Sequence, residues 1–190
     1  DDKSFIVKAP KELMSFFHRS SKNSKSFLLR LPKTIQLDQF KYTTVSGDLF
    51  YQANDVEMIH LSTTSGDIMI KNCHINNAKW NTVSGDITIS DVVIGKLHSS
   101  QISGDMTLKD SKVEEDCILN TVSGDIHLTN CTCNECRFQS VSGDIKGTEF
   151  YPKKVALKSV NGDIVIRNKE KKAFEIISKN SVSGDIHIEA

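Results

Sequence analysis

From Phe40 onward, apolar residues recur in short alternating bursts separated by clusters of glycine, serine, asparagine and aspartate, and the whole pattern repeats. Ser-Gly-Asp begins at Ser46, Ser65, Ser84, Ser103, Ser123, Ser142 and Ser183, and once reads Asn161-Gly162-Asp163. The eight starts are 19, 19, 19, 20, 19, 19 and 22 residues apart. With each motif serine counted as zero, position −6 holds Phe40, Ile59, Ala78, Leu97, Cys117, Cys136, Val155 and Ile177. Positions −4, +3 and +5 are apolar apart from Ser99 and Lys179 at −4 and Gly147 at +5, as in Trp80, Ile87 and Ile89, and a third pair follows at +8 and +10, as in Val92 and Ile94.

Alternation over a few residues is the strand period, and three such bursts per repeat, with turns between them, predict three short strands per unit. A fixed period near 20 marks a stacked repeat in which each unit buries its apolar face against its neighbours. The predicted fold is therefore all-β: a single-domain parallel β-solenoid of about eight coils over residues 40–190. The first corner is Ser-Gly-Asp, where glycine tolerates positive φ. The second holds Asn72, Asp91, Asp110, Asn130 and Asn168, residue types that tolerate the left-handed region. The third, as in Gly95-Lys96, is looser and absorbs the changes in length.

Residues 1–39 lack the motif but contain two runs broken by Pro-Lys, Ser4 to Lys11 and Ser26 to Lys33. They read as two degenerate opening coils, since a solenoid needs atypical end units. The rival reading makes Lys11 to Arg19 a capping helix, with Pro10 at its start and Leu13, Met14, Phe16 and Phe17 on one face.

Stacking turns every position into a column with a spacing of about 4.8 Å. One column is acidic: Asp48, Asp67, Asp86, Asp105, Asp125, Asp144, Asp163 and Asp185. Carboxylates at that spacing repel by roughly 1 kcal/mol per neighbour even in water, so something must offset them. Turn amides bonded by each carboxylate make the column a structural ladder, and that is the reading preferred here. A row of calcium sites is the alternative, but one carboxylate per coil is sparse for a cation that takes six to eight oxygens. No metal site and no cofactor is expected. A second column, at −5, places Lys41, His60, Lys79 and His98 on consecutive coils, with Arg137 two coils further on. Beside it, position −3 carries Thr43, Ser62, Asn81, Ser100, Asn120 and Gln139, all hydrogen-bonding types. Such a face can take an anionic polymer, such as a cell-wall glycan, or a negatively charged protein partner. Lysines that merely keep a strand soluble are the plainer explanation.

Charge alters the picture mainly by exclusion. The 190 residues carry 24 basic and 24 acidic side chains, so no global field draws the chain to nucleic acid or to an anionic membrane. No apolar run is long enough for a membrane helix. The abrupt start at Asp1 is compatible with a leader or anchor removed upstream. Cys131, Cys133 and Cys136 resemble a zinc half-site, but they and Cys73 and Cys117 occupy inward apolar positions, where thiols act as small hydrophobes. Cys117 and Cys136 stack as neighbours within disulfide reach, a bridge that is geometrically open though unforced. The histidines form no cluster, and the serines repeat too evenly for one to be a nucleophile with its own base. The last coil ends in Ile186-His187-Ile188 with little sequence after it, and end-to-end pairing with a second copy is one expectation for that edge.

The phrase Thr-Val-Ser-Gly-Asp-Ile/Leu at Thr44 to Leu49, Thr82 to Ile87 and Thr121 to Ile126, with Leu31-Pro32-Lys33 ahead of the first coil, resembles the bacterial adhesin-like family of β-strand-repeat domains of unknown function. The resemblance covers about residues 26–190. It implies a non-enzymatic binding or scaffold module of the cell envelope, and some relatives belong to envelope-stress systems of Gram-positive bacteria. The five cysteines are unusual for an exported Gram-positive protein, which keeps a cytoplasmic interaction or regulatory domain as the alternative. A polysaccharide-active β-helix enzyme is a further alternative, disfavoured because coils this uniform leave no loop to build a cleft.

Overall fold

The computed structural model describes residues 4–8, 36–52, 55–170 and 172–189. Among them are thirteen strands: β1 (Ser4–Lys8), β2 (Leu37–Ser46), β3 (Leu49–Gln52), β4 (Val56–Ser65), β5 (Ile68–Ser84), β6 (Ile87–Ser103), β7 (Met106–Lys109), β8 (Lys112–Ser123), β9 (Ile126–Ser142), β10 (Ile145–Asn161), β11 (Ile164–Arg167), β12 (Glu175–Ser183) and β13 (Ile186–Glu189). The seventeen-residue strands are not straight. Each bends at one residue of positive φ, such as Asn72 (51°) in β5 or Asp91 (57°) in β6, and keeps its pairing on both sides of the bend. Three bursts of alternation thus become three walls of one coil.

All pairings are parallel except β1 with β2, and they link into one continuous sheet wound about the core. Register follows the repeat: Leu49, Ile68, Ile87, Met106, Ile126, Ile145, Ile164 and Ile186 face one another in succession. The architecture is the predicted parallel β-solenoid of about eight turns. Ile87, Ile89, Trp80 and Ile126 are buried, whereas Lys79 is exposed and Lys41 half-buried, so the inward and outward positions are as the alternation requires.

Side-chain volumes in the core compensate between coils. Trp80 stands over Ser99 in the next coil, a large residue against a small one in the same column. Gly147 replaces the isoleucine or leucine of its column where Phe150, in contact with Phe138 at 5.7 Å between ring centroids, enters the interior. A Cβ on Gly147 would lie 3.2 Å from the Phe150 Cβ. Close-packed interiors tolerate little deviation from such pairing of volumes.

Four expectations are corrected. The stretch from Ser4 does not enter the parallel stack, because β1 runs antiparallel along β2, with Phe5 opposite Tyr42 and Val7 opposite Phe40. An antiparallel strand there pairs the free edge of the first coil. Ser26 to Lys33 and the proposed helix from Lys11 to Arg19 lie outside the described residues. Ile177 does not occupy the −6 column: a bulge puts Ile176 opposite Val155 and Ser178 opposite Ala156, leaving Ile177 48 % exposed. At the second corner, Glu149 takes the positive φ (53°), whereas Asn168 does not. Asn168 instead acts as a backbone surrogate: its Oδ1 accepts from the Phe150 N–H and its Nδ2 donates to the Phe150 carbonyl, both at 2.8 Å. Finally, Cys117 does face Cys136 in register, but the disulfide joins Cys133 and Cys136.

Candidate functional site: the turn ladder and the flat face

The Ser-Gly-Asp column is a continuous hydrogen-bonded ladder. The N–H of Asp67 donates to Asp48 Oδ1 at 2.9 Å, and the same bond recurs up the rod through Asp86, Asp105, Asp125, Asp144, Asp163 and Asp185. In the other direction the residue after each aspartate donates to the next aspartate's carbonyl, as Ile68 N–H does to Asp86 O at 2.9 Å. Seven carboxylates therefore each have one oxygen committed to a backbone amide of the next coil, which explains why a like-charged column is tolerated. In the fifth and sixth coils the outer oxygens are also neutralised: Lys146 Nζ lies 2.8 Å from Asp144 Oδ2 and 3.6 Å from Asp125 Oδ2. The Lys146 hydrogen bond and the Asp163 amide hold the Asp144 carboxyl below the usual range, and Asp144 in turn raises Lys146. Among the described residues no three His, Cys, Asp or Glu side chains are placed to hold a metal ion.

Glycine is required here for a physical reason. Gly85 has a φ of +131°, and a Cβ on it would lie 2.3 Å from the Gly66 carbonyl oxygen. The backbones of successive turns touch, so no side chain fits between them.

The wall leading into this turn carries three outward columns. The basic column is assembled as expected: Lys41, His60, Lys79 and His98 are consecutive register neighbours, followed by Ile118 and Arg137. Arg137 pairs with Glu135, but no carboxylate lies within ion-pair distance of Lys41, His60, Lys79 or His98 among the described residues. Burial first, and then Lys41 and Lys79 on either side, lower the His60 pKa. Next to it runs the column of Ser62, Asn81, Ser100, Asn120 and Gln139, in register.

The third column was missed by reading only the inward positions. Val45, Val83, Ile102, Val122 and Val141, each one place before a motif serine, are between 43 and 54 % exposed, and Thr64 takes this position in the second coil. The signal was present in the repeated Val-Ser-Gly-Asp, since a residue two places along from an outward position is itself outward. Between this apolar ridge and the amide-hydroxyl column runs a groove of about 620 Å³ from Ser62 to Val160, with a mainly apolar lining. Beneath it, position −2 is a buried polar column of Thr44, Thr63, Thr82, Gln101, Thr121, Ser140 and Ser159. Some members bond to the turn, as Gln101 Nε2 does to the Gly85 carbonyl at 2.6 Å.

The remaining cysteines, Cys73, Cys117 and Cys131, are buried free thiols. Burial raises all three, Cys131 to about 11 and Cys73 to about 12, so they are thiols rather than thiolates at neutral pH. No helix among the described residues is long and apolar enough to cross a membrane.

These features define a class: an all-β parallel solenoid repeat whose motif residues build the rod and whose outward columns form its faces. The chain matches the Toastrack DUF4097 family model over residues 1–98 and again over 93–190, and it belongs to that family, a domain of unknown function. The two matches together span the whole sequence, as expected of a rod in which one unit is reiterated. Neither the curated proteins nor the solved structures contain a match.

Proposed function

We propose that this chain is a non-enzymatic binding or scaffold module of the bacterial cell envelope, adhesin-like or associated with envelope stress, and that the flat wall before the Ser-Gly-Asp turn is its binding face. The observation that carries this reading is the juxtaposition, on one wall, of a basic column whose Lys41, His60, Lys79 and His98 have no ion-pair partner among the described residues, an amide-hydroxyl column and an exposed apolar ridge flanking a shallow groove. An outward apolar row of this length is unusual on a soluble surface and marks contact with a partner or ligand. Repeat rods use such extended faces for binding. A protein partner or a wall glycan is the class of ligand.

Fractionation of cells producing the native protein tests the location, and co-sedimentation of the purified chain with isolated envelopes tests the face. The expected result is envelope recovery that falls when Lys41 and Lys79 are both changed to glutamate. Recovery only in the cytosol, with no sedimentation, would favour the cytoplasmic interaction domain instead.

A further inference from the structure

We propose that the groove of the flat face takes a linear, hydroxyl-rich, anionic polymer, an acidic glycan chain laid along the rod axis with its acid groups on the basic column. This rests on the binding-module reading above and names its ligand. The wall formed by Asn81, Ser100 and Asn120 offers amides and hydroxyls at one coil spacing, about 4.8 Å. These donate and accept in either direction, as a chain of sugar hydroxyls requires. Opposite them, Val83, Ile102 and Val122 present an apolar ridge against which the C–H faces of sugar rings can lie.

Charge sets the third part of the selection. Lys41, His60, Lys79 and His98 are flanked by Thr43, Ser62, Asn81 and Ser100 on one side and by Gln39, Met58, Asn77 and Lys96 on the other, with carboxylates entering this wall only from Glu115, which pairs with Lys96, and from Asp116 and Glu135 in the coils beyond. The positive field is therefore concentrated on the first three coils, from Lys41 to Lys79. The aspartate ladder lies around the Ser-Gly-Asp corner, seven residues along the chain from the basic column, and seven of its carboxylates each have one oxygen bonded to a backbone amide of the next coil. A polyanion on the basic column is accordingly drawn in rather than repelled. Nucleic acid is the competing polyanion, but single strands are held by aromatic stacking, and the groove lining contains no aromatic ring.

The test uses the whole chain and defined polymers. Binding of polygalacturonate, a linear uronate glycan, is compared with that of neutral dextran, hydroxyl-free polyacrylate and polyuridylate at low salt. The expected result is that polygalacturonate binds at least about tenfold more tightly than the other three. Lys41→Glu/Lys79→Glu and Asn81→Ala/Asn120→Ala should each weaken it by about tenfold, with circular dichroism unchanged because all four side chains point outward. Equal binding of polyacrylate or polyuridylate, loss in the lysine variant alone, or no binding of polygalacturonate overturns the assignment. Envelope co-sedimentation that persists in the face of such a result leaves the binding-module reading standing and removes only the glycan.

Discussion

Replacing Gly85 by alanine tests whether the Ser-Gly-Asp turns are the structural spine of the rod. The added methyl meets two separate obstacles. A φ of +131° is a region that residues with a Cβ adopt at a cost of about 1–3 kcal/mol. The Cβ would also lie 2.3 Å from the Gly66 carbonyl oxygen and 2.8 Å from its carbon, both backbone atoms. Relief means separating two coils at the point where Asp86 N–H bonds Asp67 Oδ1 and Ile68 N–H bonds Asp86 O. Weakening either bond adds about 1 kcal/mol or more. The sum is at least about 2 kcal/mol, against a stability of order 5–15 kcal/mol for a domain. For a chain of this size that lowers the Tm by at least about 4–8 °C. Thermal unfolding followed by circular dichroism measures it, with Ser84→Ala, an exposed position, as the control that should move little. A Tm for Gly85→Ala within about 2 °C of wild type would refute the close contact of successive turns and the ladder built on it.

Asp144 should titrate below an ordinary aspartate in carbon-detected NMR, and Lys146→Met should move it back up. Because its folded pKa is depressed, the stabilisation by this pair holds above the ordinary carboxylate range and is lost as pH falls through it, below about pH 4. The buried thiols Cys73, Cys117 and Cys131 should resist alkylation at pH 8 in the native protein and react in denaturant; ready native labelling of all three would contradict their placement in the core.

The local pattern determined a great deal by itself. A period of about 19 residues with three alternating bursts has one economical solution, a parallel solenoid, because apolar positions two apart must share a face and identical units must stack in register. That fixed the buried columns, the aspartate ladder and the basic column from Lys41 to His98 without coordinates. Tertiary structure decided whatever depends on one coil meeting another of different length or shape. The bulge that puts Ile176 rather than Ile177 opposite Val155 arises in the longest repeat, and no residue there announces which of the two isoleucines takes the place, both remaining exposed. Asn168 looks like a left-handed corner residue, yet its amide satisfies Phe150, a partner eighteen positions away. Cys117 and Cys136 are adjacent by column, but a disulfide is chosen by the approach of two sulfurs, and across the third corner Cys133 comes closer. The groove emerges only when the valine and asparagine columns stand side by side, since its shape belongs to the stacked coils rather than to any one repeat.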